Sequence, residues 1–174
     1  LLQVVLGKLT AEFPVAIAVV QHRHRESGVI LSQVLQQQIP LPFKEAEDKD
    51  LLHPGHIYLA PSDYHLLIEP GYFSLSTDEP VSYARPSIDV LFESAADTYG
   101  EHTIGVLLTG ANQDGAQGLA RIKAAGGRTI VQDPATAENP VMPEAAIAAT
   151  AIDQILPLSN IADCLTHLCS PVRR

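Results

Sequence analysis

Two polar loops hold the side chains with the greatest capacity for chemistry. Gln21-His22-Arg23-His24-Arg25 follows the apolar run at residues 15–20, and Thr109-Gly110-Ala111-Asn112-Gln113-Asp114 follows the apolar run at 104–108. A histidine accepts and returns a proton near neutral pH, and a carboxylate bonded to it fixes its tautomer and stabilises the imidazolium. His22 and Asp114 are thus candidates for the base and acid of a nucleophile–base–acid set. Pattern alone also allows plainer roles. Pattern by itself favours His22 as a surface-loop histidine, and Asp114 as the N-cap of the helix starting at Gly115. Capping leaves a carboxylate spare lone pairs, so the two roles of Asp114 are compatible.

Two other chemistries are weighed on the same residues. Gly110 and Gly115 have the spacing of a phosphate-binding loop, but Ala116 and Gln117 stand where lysine and a hydroxyl residue are required. Nucleotide binding is therefore rejected. His22, His24, His53 and His56 lack further ligands at metal-site spacings, and Arg23 and Arg25 set positive charge beside any dication. No metal and no organic cofactor are expected.

The loops need elements to hold them. Residues 15–20 (VAIAVV) and 104–108 are continuous apolar runs of strand length, suited to strands covered on both faces. Helical spacing runs through residues 2–9, from Ser27 as cap to about Gln38, from Pro86 to Gly100, from Asp114 to about Ala125, over 142–149, and onward from Ser159 as cap. Further strands are expected at 43–46, 57–60, 128–131 and 152–156. His65–Ile68 and Tyr72–Leu75 flank Glu69-Pro70-Gly71 as an antiparallel hairpin. The β–α alternation predicts an α/β fold: a doubly wound, mostly parallel sheet flanked by helices, with a small antiparallel hairpin insertion. In such sheets ligands bind outside the carboxyl ends of the strands, where both polar loops lie.

The chain has 174 residues, 46% of them apolar and 18% charged, which fits one domain spanning 1–174. A formal charge of −9 argues against a nucleic-acid partner. No apolar stretch approaches the ~20 residues of a membrane span, so no membrane insertion is expected. Cys164 and Cys169 make no disulfide framework, and a reduced, cytoplasmic protein is expected.

Five segments, in order along the chain, resemble the catalytic domain of the chemotaxis receptor methylesterases (CheB-type). They are Val19-Val20-Gln21-His22, Pro54-Gly55-His56-Ile57-Tyr58-Leu59-Ala60-Pro61, Arg85-Pro86-Ser87-Ile88-Asp89-Val90-Leu91-Phe92, Gly105 to Gly110 with Asp114-Gly115-Ala116, and Met142-Pro143-Glu144-Ala145-Ala146-Ile147. The resemblance implies hydrolysis of receptor glutamyl methyl esters, and deamidation of receptor glutamines, by a Ser-His-Asp mechanism. It implies His22 as general base, Asp114 as its orienting acid and the Ala111 backbone amide as an oxyanion donor. The implied partner is the helical cytoplasmic part of a chemotaxis receptor.

The chain departs from the family pattern where Ala111-Asn112 replaces Met-Gly, and at Glu138-Asn139-Pro140-Val141. The nucleophilic serine, which the family carries in a turn after its first strand, has no match in the chain and is expected upstream of Leu1. The family's N-terminal receiver domain has no match either. On this reading residues 1–174 are inactive alone, and a gap, a repaired sheet or a substituting strand is expected beside residues 15–20. The rival reading is a non-catalytic binding domain of the same fold that has lost its nucleophile.

Overall fold

The computed structural model describes residues 1–22 and 28–171. Its elements run α1 (Leu2–Leu6), β1 (Ile17–Val19), α2 (Gly28–Gln36), β2 (Phe43–Glu45), β3 (Ile57–Leu59), β4 (His65–Glu69), β5 (Tyr72–Ser76), α3 (Ile88–Tyr99), β6 (Ile104–Leu107), α4 (Ala116–Ala124), β7 (Arg128–Gln132), α5 (Val141–Ala149), β8 (Gln154–Leu156) and α6 (Leu158–Cys169). The α/β alternation and the hairpin agree with the sequence reading. Ser27, expected to cap α2, lies outside the described residues.

The parallel strands pair in two sheets of three. β3 lies between β1 and β2, with Ile57 opposite both Ile17 and Phe43. β7 lies between β6 and β8, with Ile130 opposite Val106 and Gln154. The second edge of β1 and that of β6 have no strand partner among the described residues. Side chains nonetheless join the two sheets, because Val19, Ile57, Leu59 and Ile130 belong to one apolar core with Val106 and Leu108 packed against it.

Alternation of strand side chains makes the layers. Ile130 turns toward the core that contains residues of α1 and α6, while Val131 turns toward Leu119, Ile122 and Ala146 of α4 and α5. Tyr58 of β3 packs instead with Leu66 and Phe73 of the hairpin and Leu91 of α3. Strands covered on both faces must be apolar throughout, and the described strands buried in this way are β3 and most of β7, whereas β1 and β6 stay half-buried. The helices thereby fix the strand ends, and His22 and Thr109 to Asp114 emerge from the carboxyl ends of β1 and β6.

Two caps differ from the sequence reading. Pro86 stands just outside α3, whose N-cap is Ser87, with its hydroxyl accepting from the Val90 amide at 3.5 Å. α6 begins after Pro157 without a side-chain cap, and the Ser159 hydroxyl bonds to Asn160.

Candidate active site

The two polar loops meet. His22 Nε2 lies 2.7 Å from Asp114 Oδ2, although 92 residues separate them in sequence. The imidazole is partly accessible, with 28% of its side chain exposed, whereas the Asp114 side chain is fully buried.

Burying a carboxylate without partners costs several kcal/mol, so the hydrogen bonds of Asp114 decide its state. Four donors reach it, two at each oxygen. Oδ2 takes His22 Nε2 and the Ile88 amide at 2.7 Å, while Oδ1 takes the Ser87 hydroxyl at 2.8 Å and the Asp89 amide at 2.9 Å. Every lone-pair site of an ionised carboxylate is thereby occupied, and a proton on either oxygen would displace a donor. Burial pushes the Asp114 pKa up, but the hydrogen bonds from His22, the Asp89 and Ile88 amides and Ser87 outweigh it and hold the carboxyl below its ordinary value. The positive end of α3 favours the same charge.

Asp114 is therefore a helix cap, but of α3 rather than of the helix that follows it. The carboxylate serving α4 is Asp89, whose Oδ1 accepts from the Gly115 amide at 2.9 Å and the Gly118 amide at 2.7 Å. Burial raises the Asp89 pKa, the nearby Asp114 charge adds to that rise, and the two amides oppose it. The Gly115 amide, at the end of the 110–115 segment, is thereby already bonded to a carboxylate.

Behind Ser87 stands a third buried group. The Ser87 amide donates to His65 Nδ1 at 3.2 Å, and His65 Nε2 lies 3.0 Å from the Glu79 carbonyl. One nitrogen accepts from an amide, so the other must hold the proton that goes to the carbonyl.

The 109–114 loop is pinned at both ends. The Thr109 amide donates to Gln132 Oε1 at 3.0 Å, and the Thr109 hydroxyl bonds to both the carbonyl and the amide of Asn139. The Gly110 amide donates to the Asn139 carbonyl, and the Met142 amide to the Gly110 carbonyl. The segment at 138–141 is thus the anchor of this loop. Ala111 lies exposed in the bend that follows. Asn112 then reaches back, with its Oδ1 accepting from the Asp114 amide at 3.0 Å and its Nδ2 3.3 Å from His22 Nδ1.

His24 lies outside the described residues. His56 Nδ1 turns to the Pro54 carbonyl and its ring lies 5.5 Å from that of His53. Among the described residues no group of three or more His, Cys, Asp or Glu side chains is arranged to hold a metal ion. No described helix is long and apolar enough to cross a membrane. Sequence reasoning quoted Ser87 and Asp89 only as part of a helix start and passed over His65. A serine directly before an apolar helical run is the N-cap signal that could have singled out Ser87.

A partly accessible histidine bonded to a buried carboxylate therefore stands at the carboxyl edge of the sheets, beside a loop anchored at Thr109 and Gly110. The family model for CheB methylesterase matches residues 1–165. The chain is similar to a Leptospira interrogans protein provisionally named protein-glutamate methylesterase/protein-glutamine glutaminase, at 46% identity over 168 residues, covering 96% of this chain and 87% of that one. It is 43% identical over 167 residues to protein-glutamate methylesterase/protein-glutamine glutaminase 2 of Anaeromyxobacter dehalogenans, covering 96% of this chain and 49% of the relative. Among solved structures it resembles the catalytic domain of the Thermotoga maritima CheB methylesterase, with a TM-score of 0.93, 33% identity, and coverage of 96% of this chain and 90% of the other.

Proposed function

The chain belongs to the CheB methylesterase family, and on that premise we propose that it supplies the base, the orienting acid and the oxyanion loop of an enzyme that hydrolyses glutamyl methyl esters on chemotaxis receptors and deamidates receptor glutamines. The observation that carries this reading is the 2.7 Å bond from a partly accessible His22 to a buried, fully bonded Asp114. With Nε2 engaged by Asp114, Nδ1 is the nitrogen left to take the proton from an attacking hydroxyl. Asp114 stays ionised and stabilises the imidazolium. The Ala111 amide, in the bend after the pinned Gly110, donates to the oxyanion. Methanol leaves, and a water activated at the same Nδ1 hydrolyses the acyl-enzyme.

The attacking oxygen comes from a serine outside residues 1–174, on a strand that precedes them. Two features support this. The second edges of β1 and β6 have no strand partner among the described residues, while a single apolar core connects both sheets, so one added parallel strand could pair with both. Ser87, the serine bonded to Asp114, is fully buried and touches the acid rather than the base. It is a helix cap, not a nucleophile. The partner is the helical cytoplasmic region of a receptor, and the protein acts in the cytoplasm.

The test is methanol release from a methylated receptor fragment, using residues 1–174, the same chain extended upstream by a strand and turn, and the extended chain with His22→Ala. Activity is expected in the extended chain alone. Equal, robust activity in the first two would send the search back to serines within the chain. Absence of activity in all three, with a folded extended chain, would favour a binding domain.

A further inference from the structure

We propose that Asn112 is a positioning residue that fixes the tautomer of His22, keeping the proton on Nε2 and the lone pair on Nδ1. The proposal rests on the reading of His22 as the base only for its catalytic consequence.

The assignment follows from a single atom whose chemistry is not open to choice. The Asp114 backbone amide can only donate, and it lies 3.0 Å from an Asn112 side-chain atom, which must therefore be the carbonyl oxygen. The other end of the amide is then the NH2 group, 3.3 Å from His22 Nδ1. That group can only donate, so Nδ1 must accept. The ring proton is left on Nε2, where Asp114 Oδ2 receives it at 2.7 Å. The ring of contacts runs from the Asp114 amide through Asn112 and His22 and returns to the Asp114 carboxylate. Each member allows one polarity only.

The consequence follows from the asparagine side chain at position 112, which makes both contacts. Among the described residues bonded to the imidazole, Asp114 is the charged one, with Asp89 behind it bonded to the Gly115 and Gly118 amides. Asp114 alone favours a proton on Nε2 but leaves Nδ1 free to hold one as well. Asn112 opposes that second proton, because an N–H at Nδ1 would point at another N–H. An attacking hydroxyl presents Nδ1 with a donor too, so it can displace Asn112 without changing the tautomer.

The test is 15N spectroscopy of the His22 ring in wild type, Asn112→Asp and Asn112→Ala. Wild type is expected to show an unprotonated Nδ1 and a protonated Nε2 at neutral pH. Asn112→Asp keeps the shape and the acceptor for the Asp114 amide, but sets a carboxylate oxygen against Nδ1. The Nδ1-protonated fraction should rise about tenfold or more, the scale of one charge-assisted hydrogen bond. Asn112→Ala should give a smaller rise. A wild-type Nδ1 that already holds the proton, or an Asn112→Asp spectrum identical to wild type, overturns the proposal. In the full-length enzyme, Asn112→Asp should lower kcat and leave KM little changed. If His22→Ala leaves methanol release intact while the spectra behave as expected, the base assignment falls and the tautomer assignment stands.

Discussion

Asp114 and Asp89 exchange helix caps. The Asp114 carboxylate accepts the amides of Ile88 and Asp89 at the start of α3, and the Asp89 carboxylate accepts the amides of Gly115 and Gly118 at the start of α4. Each helix is thus started by an acid from the other's N-terminal turn. Position is coupled in both directions, and Gly118 allows it: a Cβ there would lie 2.6 Å from Phe92 Cβ and 3.0 Å from Asp89 Cα.

This exchange predicts that Asp89 matters to the site without touching substrate. Asp89→Ala leaves two amides without their acceptor and should cost about 1–3 kcal/mol. Asp89→Asn keeps one acceptor oxygen and should cost less. Because burial and the Asp114 charge raise the folded-state pKa of Asp89 above its unfolded value, its ionised form opposes folding at neutral pH. As pH falls through that raised value toward about 3.9, the folded protein takes up the proton first. Wild type should therefore gain on Asp89→Asn as pH falls. Urea unfolding of both proteins at neutral and mildly acidic pH measures this, and a constant difference would count against it.

Asp114 has the opposite sign. Its folded-state pKa is lowered, so its stabilising contribution is fully present above the unfolded value of about 3.9 and is lost as pH falls through the folded one. Asp114→Asn should flatten the acid limb of the stability curve. The amide also sets an NH2 against two donors, which should cost about 1–3 kcal/mol at neutral pH. In the upstream-extended protein the same substitution should reduce methanol release on the order of 10²- to 10⁴-fold, since His22 loses the partner that orients and stabilises it.

How much of this could be read from the sequence depends on the range of the forces involved. The strands and helices were legible because burial on both faces or on one stripe leaves a local pattern, as at residues 57–60 and along α3. The hairpin at Glu69-Pro70-Gly71 was legible from its turn residues. Topology put His22 and Asp114 at strand ends that share one edge, but it was the resemblance of the surrounding segments to a known family that singled them out. The direction of capping could not be read. Asp114 sits where a cap for α4 is expected, and only the packing of α3 across α4 decides that its oxygens reach Ile88 and Asp89 instead. Asn112 likewise gave a visible departure but no visible role, because the role requires His22 to arrive from 90 residues away.

Ser87 tests the distinction between a cap and a nucleophile. Its hydroxyl supplies one of the four donors to Asp114 and is fully buried. Ser87→Ala should cost about 1–2 kcal/mol and lower activity by roughly tenfold, through a less well held acid. Three donors remain on Asp114, so His22 keeps its partner. Complete loss of methanol release in a folded Ser87→Ala protein, matching His22→Ala, would make Ser87 more than a cap.

The residue after the acid should be the least replaceable glycine in the loop. Gly115 has φ +101, which side-chain-bearing residues rarely adopt, and a Cβ there would lie 2.6 Å from Leu107 Cδ1 and 2.9 Å from Ile88 Cγ2. Both neighbours are buried, so the clash cannot relax into solvent. Gly71 makes a control, with φ +83 and nothing within 4 Å of the added carbon. Gly71→Ala should cost only the backbone term of about 1–2 kcal/mol. Gly115→Ala adds overpacking of about 1–3 kcal/mol to the same term. It should also shift the Asp114 carboxylate, because Ile88 both receives the clash and donates its amide to Oδ2. The expected result is a larger fall in denaturation midpoint than for Gly71→Ala, together with a weakened His22–Asp114 bond visible in the His22 ring spectrum. Equal destabilisation by the two substitutions, with an unchanged spectrum, would mean that the loop yields at Gly115 without disturbing the acid.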